Sequence, residues 1–206
     1  MADGVVGVIL AGGLARRMGG GDKGLIRLHD RPILDHVVER LKPQVSAIVI
    51  NANGDPARFA SYGVPVIPDS VEGFAGPLAG VLAGIEWAAA QRPGARWIVS
   101  AATDTPFFPR DLVQHLLNAV QRTPSDMACA ASAGRHHPVF GLWPVSLAAD
   151  LRQAMKAEGI RKVDAWTARH RLAVAEFEAR PYDPFFNVNR PEDVAEAERI
   201  AAEHQP

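Results

Sequence analysis

A chain of 206 residues is long enough for one domain with a substantial core and short for two large ones. Its 22 lysines and arginines face 23 acidic residues, a formal net charge of −1, so no global field draws it to nucleic acid or an anionic membrane; its ligands are expected to be small. The single cysteine, Cys129 in MACAAS, excludes an internal disulfide and reads as a core residue, and with no apolar run of membrane-spanning length and an acidic opening, MADGVV, a cytoplasmic protein with no membrane partner is expected.

The first apolar run, Val5–Leu10, is short and β-branched and predicts a buried parallel strand. It runs directly into a glycine-rich, cationic loop. Ile33, Val37, Val38 and Leu41 then share one helical face, strands are predicted at Ala47–Asn51 and Val64–Ile67, and Leu78, Val81, Leu82 and Ile85 mark a second helix. A strand at Trp97–Ala101 precedes a third helical stripe, Leu112, Val113, Leu116, Leu117 and Val120, with Pro109 expected in its first turn. Strands alternating with helices imply right-handed βαβ units and a mostly parallel sheet covered on both faces, an α/β fold of three α/β/α layers. Strands at Met127–Ser132 and Val139–Trp143 around a Gly-containing turn predict a small antiparallel excursion in the C-terminal third. A strand at Leu172–Phe177 and an amphipathic helix from Pro191 to Ala202 follow, and without repeat or linker one domain is the default.

The loop after the first strand is the main chemical signal. A Walker A loop is excluded, because Lys23 is preceded by Asp22 and followed by Gly24 where that motif needs Gly-Lys-Ser/Thr. A dinucleotide fingerprint is tighter and enters a helix at once, whereas the segment from Gly12 to Lys23 carries Arg16 and Arg17 and leads into LIRL. Glycines let backbone N–H groups approach oxygen and the cations neutralise the rest, so this length and charge suit a triphosphate.

LAGGLARRMGGGDKGLIRL resembles the signature of GT-A-like nucleotidyltransferases, most closely that of the molybdenum cofactor guanylyltransferases, which join GMP to molybdopterin. VINAN at 49–53, IPDS at 67–70, GPLAGVLAGI at 76–85, TDTPF at 103–107 and FNVNRPEDV at 186–194 follow in the order that family shows, so the resemblance covers nearly the whole chain. It implies a Rossmann-like nucleotidyltransferase fold in a single domain, with a nucleotide-binding half over about 1–125 and an acceptor-binding half over about 126–206. It implies GTP and molybdenum-bound molybdopterin as substrates, Mg2+ as cofactor, and other molybdenum-cofactor biosynthesis proteins and acceptor molybdoenzymes as partners. The alternatives are a cytidylyltransferase on the same pterin, a sugar-phosphate nucleotidyltransferase, or a non-catalytic nucleotide-binding regulator.

Residue by residue, the resemblance places Leu10, Ala11, Gly12 and Gly13 against the nucleotide and gives Asn51 and Asp69 a role in GTP binding; by type alone both of the latter are also ordinary turn residues. Asp104, just past a strand and too far before Pro109 to cap the next helix, is assigned to magnesium, which commonly takes one carboxylate plus phosphate oxygens. Lys23 and Arg17 supply the fixed cations that a phosphoryl transfer needs as charge builds on oxygen. Asn187 and Asn189, alternating with Val188, are candidates for the acceptor site, with capping of the following helix as the plainer role. His136 and His137 read as surface residues.

Overall fold

Residues 2–12, 23–73 and 76–204 are described by the computed structural model. Strand β1, Ala2–Leu10, lies in the interior of the sheet, flanked by a strand on each side, and its side chains alternate between two apolar layers. Val5 and Ile9 enter one core with Ile33, Leu34 and Leu116; Val6, Val8 and Leu10 enter the other with Leu78, Val81 and Ile85. Both faces of the strand are therefore buried, which is why its sequence is a continuous apolar run.

A short hairpin, β2 (Arg27–Leu28) with β3 (Arg31–Pro32), leads into α1, Ile33–Leu41, which returns the chain to β4, Val45–Asn51. The two-residue β5, Val66–Ile67, pairs in parallel with the end of β4; the predicted strand is longer, but only these residues join the ladder, with Pro65 contributing its carbonyl to Ile50 N. Helix α2, Pro77–Gln91, carries the chain to β6, Trp97–Ala102, on the other side of β1. Helix α3 spans Leu112–Arg122 and starts three residues after Pro109, not around it. The carbonyls of Phe108 and Pro109 are drawn instead toward α1, accepting from Arg40 Nη1 at 3.0 Å and Gln44 Nε2 at 3.1 Å.

The predicted excursion is present: β7 (Met127–Ser132) and β8 (Arg135–Pro144) form a hairpin, and β8 runs antiparallel to both β6 and β7. Two helices that the sequence reading does not assign follow, α4 (Ala148–Glu158) and α5 (Val163–Thr167), before β9 (Leu172–Phe177) and α6 (Pro191–His204). The strand order is β5-β4-β1-β6-β8-β7-β9, parallel except for β8. Among the described residues no helix is long and apolar enough to cross a membrane.

Candidate active site

Parallel strands β4, β1 and β6 end together, at Asn51, Leu10 and Ala102, and the chain leaves each as a loop on one side of the sheet. A cavity of about 770 Å³ opens there, lined by Leu10, Gly12, Asn51, Asp69, Asp104 and the first turn of α2, among others. Its size is that of a small-molecule site, and it sits where open α/β sheets bind ligands.

One wall is a closed polar network. Asn51 is 4% exposed, and its Nδ2 donates to Ile67 O at 3.3 Å and to Asp69 Oδ1 at 3.0 Å. Asn53 grips the same aspartate twice, through Nδ2 to Oδ2 at 2.8 Å and through Oδ1, which accepts from Asp69 N at 2.9 Å. The pairing of Asn51 with Ile67 in the β4–β5 ladder brings these side chains together. The sequence reading names Asn51 and Asp69 but not Asn53, whose only signal is the Asn-Ala-Asn spelling at the strand's end.

Asn51 reaches this position because Gly80 lies behind it. A Cβ at Gly80 would overlap Asn51 Oδ1 and stand 2.7 Å from Leu10 Cδ2, so helix α2 can lie this close to the strand ends only without a side chain there. At Gly12 the opposite holds: an added Cβ meets no atom of the described residues within 4 Å, at the cavity's edge.

The other wall carries Asp104, in the TDTPF segment, which the FNVN segment backs. Asp104, half-buried, lines the cavity, and its carbonyl accepts from Val188 N at 2.7 Å. Thr105 Oγ1 bridges the two segments, lying 2.7 Å from Asn187 Oδ1 and 3.2 Å from Asp104 Oδ1. Asn187 is exposed and Asn189 half-buried on either side of the fully buried Val188. Helix α6 is closed at its N-terminus by Asp193, whose Oδ2 accepts from both Asn189 N and Arg190 N at 2.8 Å. Ala11 is buried, with its N–H given to Asn51 O at 2.8 Å.

Gly13 and Arg17 lie outside the described residues, and Lys23 enters at the start of a 3-10 turn, Lys23–Leu25, whose Gly24 packs against Thr103 beside Asp104. His137, expected at the surface, is half-buried. Its ring stacks on Phe185 at 4.4 Å, and its Nε2 lies 2.7 Å from Ser132 Oγ, which donates to Asp183 Oδ1 at 2.8 Å. With the hydroxyl proton directed to Asp183, Nε2 of His137 must carry the hydrogen. Burial holds the imidazole below its ordinary pKa. Ser132 is fully buried, so this trio ties the Asp183–Asn187 loop to the sheet and presents no nucleophile.

Among the described residues no three histidine, cysteine or carboxylate side chains cluster as a protein-only metal cage. Asp104 is an oxygen donor at the cavity wall, the donor type that Mg2+ takes when phosphate oxygens and water complete its shell.

The MobA-like NTP transferase domain matches residues 7–174. The chain belongs to the MobA-like NTP transferase family. Among this family's members, the molybdenum cofactor guanylyltransferase of Rhodopseudomonas palustris (strain BisB5) is 59% identical over 194 residues, 94% of this chain and 92% of the relative. That of Bradyrhizobium sp. (strain ORS 278) is 57% identical over 198 residues, 96% and 93% of the two chains. The fold is also similar to that of the solved structure of molybdopterin-guanine dinucleotide biosynthesis protein A from Archaeoglobus fulgidus, with a TM-score of 0.74 at 24% identity over 96% of this chain and 99% of that one. The CTP complex of CMP:2-keto-3-deoxy-manno-octonic acid synthetase scores 0.72 at 15% identity, covering 97% and 98%. At these identities both establish the nucleotidyltransferase fold alone.

Proposed function

We propose that this chain transfers GMP from GTP to the terminal phosphate of molybdenum-bound molybdopterin, forming molybdopterin guanine dinucleotide and releasing pyrophosphate. The observation that carries this reading is the cavity at the strand ends, with the Asn51–Asp69–Asn53 network on one wall and Asp104 on the other; the names of relatives above 50% identity give the substrates.

In this reading the chain is one domain, its nucleotide half near residues 1–125 and its acceptor half near 126–206. Leu10, Ala11 and Gly12 lie against the purine, Gly13 offers its backbone to phosphate, and Asn51 and Asp69 bind the nucleoside. An ionised oxygen of the acceptor phosphate attacks the α-phosphorus of GTP, that P–O bond forms, and the bond to pyrophosphate breaks. Because the attacking oxygen is already deprotonated at neutral pH, no general base is needed. Arg17 and Lys23 stabilise the charge that builds on the phosphoryl oxygens, an effect larger in the transition state than in the ground state. Mg2+, held by Asp104, would neutralise phosphate charge when bound. Asn187 and Asn189 orient the acceptor. Partners in cofactor delivery and the cytoplasm as the site of action follow from the same reading.

The test is pyrophosphate release from GTP, CTP and ATP with molybdopterin and Mg2+, in wild type and Asp104→Ala. The expected result is preference for GTP, with turnover lost in the variant while its unfolding transition is retained, since a half-buried loop carboxylate contributes little packing. Preference for CTP would transfer the reading to a cytidylyltransferase, and absence of pyrophosphate release with bound nucleotide would make the chain a nucleotide-binding regulator.

A further inference from the structure

A second cavity, of about 340 Å³, opens between the end of α1, the start of α3 and the segment after β9, and it shares no lining residue with the first. Arg40, Arg110 and Arg180 line it, with His115, Phe177 and Tyr182.

Arg40 is the residue that needs explaining. It is 5% exposed, yet among the described residues its guanidinium makes one hydrogen bond, from Nη1 to Phe108 O, and no carboxylate pairs with it. Buried guanidinium groups are normally matched by an anion, because the desolvation of an uncompensated charge is costly. Burial and then the repulsion of Arg110 push its pKa down to about 10, still cationic at neutral pH. Arg110 has one distant ion pair, to Glu39 at 3.7 Å, and that carboxylate lies closer to Arg31 at 3.1 Å. Arg180 makes no ion pair among the described residues. Against these cations the lining carboxylates are Asp111, engaged by His115 at 3.3 Å, and Glu178.

The remaining walls are flat. His115 stacks on Phe177 with centroids 5.0 Å apart, and Phe107 meets Tyr182 edge-on at 5.9 Å. Guanidinium forks match phosphoryl oxygens two at a time, aromatic faces accept planar rings, and this volume is at the lower end for ligand sites.

We propose that this cavity is a second anion site, taking the phosphoryl group of a small molecule no larger than a nucleoside monophosphate. The anion sits between Arg40 and the two exposed arginines and supplies the counter-charge that the fold leaves out. Phe107 ends the TDTPF segment that carries Asp104, and Tyr182 and Pro184 lie on the stretch that leads into Asn187, so the occupant touches the first of these segments and the approach to the second.

The test soaks crystals of the full chain with tungstate, a heavy analogue of phosphate, and separately with GMP. A tungstate anomalous peak within hydrogen-bond distance of Arg40 is expected, and it should vanish in Arg180→Glu, an exposed charge reversal that leaves the core untouched. In solution, titration with inorganic phosphate and with GMP should show affinity falling about tenfold or more in that variant, as expected for the loss of a charge-assisted contact. Tighter GMP than phosphate identifies a nucleotide as the occupant; equal affinity identifies the free anion. No density in this cavity at low-millimolar tungstate, or binding that Arg180→Glu leaves unchanged, overturns the assignment. These readouts do not require GTP turnover, so they fail or succeed apart from the proposed reaction.

Discussion

Replacing Gly80 by alanine sets two effects against each other. On helix propensity alone the change in the interior of α2 should stabilise the protein by up to ~1 kcal/mol. The added Cβ, however, overlaps Asn51 Oδ1 and stands 2.9 Å from Asn51 Cγ and 2.7 Å from Leu10 Cδ2. Asn51 is buried and bonded to Ile67 O and Asp69 Oδ1, so it cannot swing away without releasing both acceptors. Overpacking costs about 1–3 kcal/mol and a broken buried hydrogen bond a further ~1–3, so the clash outweighs the propensity gain and net destabilisation of about 1–5 kcal/mol is expected. The assay is a double-mutant cycle in urea, Gly80→Ala with Asn51→Ala, together with GTP titration. Removing the carboxamide makes room for the methyl, so the two changes should couple by about 1 kcal/mol or more, and Gly80→Ala alone should weaken GTP. Additive energies, or a Gly80→Ala protein that is more stable than wild type and binds GTP unchanged, would refute the reasoning.

Gly12→Ala should fold like wild type, since its methyl meets no atom of the described residues within 4 Å, but should lower the ratio of catalytic efficiencies for GTP over CTP by about one to three kcal/mol equivalent, measured by competing the two nucleotides. Gly141→Ala drives a methyl into the fully buried Trp143 ring, whose Nε1 donates to Ser100 Oγ at 2.8 Å; thermal unfolding should show a loss of about 1–3 kcal/mol. His36 and His137 are both held below the ordinary histidine value of 6.5 by burial, so the unfolded chain binds protons that the folded chain refuses. Their contribution is fully present above 6.5 and is lost as pH falls from there through the lower folded values, and His137→Gln should flatten this slope in a series of unfolding midpoints.

Much of the site is readable wherever a functional residue ends an apolar run. Asn51 ends one predicted strand and Asp104 comes just after another, so their position at the carboxyl edge follows from local pattern alone. Contact between Asn51 and Asp69 is different in kind, because it depends on the register of β4 against β5, which no local pattern encodes. Asn53 lies past the strand in irregular backbone, where an asparagine is indistinguishable from any turn residue. Gly80 reads by propensity as a weak point in a helix, and its reason is a side chain on another strand. Helices α4 and α5 bury only a few side chains each, among them Leu151, Met155 and Trp166, too short a stripe to declare its period. Pro109 has the composition of a helix start, but Arg40 and Gln44 hold the carbonyls of Phe108 and Pro109, and the chain makes a separate turn from Pro109 to Leu112 before α3 begins.

The ladder between β6 and β8 has a consequence for how this sheet breathes. Its pairs are Trp97 with Pro144, Ile98 with Trp143 and Val99 with Leu142, after which the strands part and Ser100 Oγ reaches across to Val139 O at 2.5 Å. A seven-stranded sheet thus contains a seam at its middle, open at the end where the first cavity lies and zipped at the other. Beyond Val99 these two strands share no ladder pairs, and Ala102 and Val139 at the open end line the cavity, so slow-exchanging amides at the zipped end should give way, a few residues along β8, to amides that a bound nucleotide newly protects.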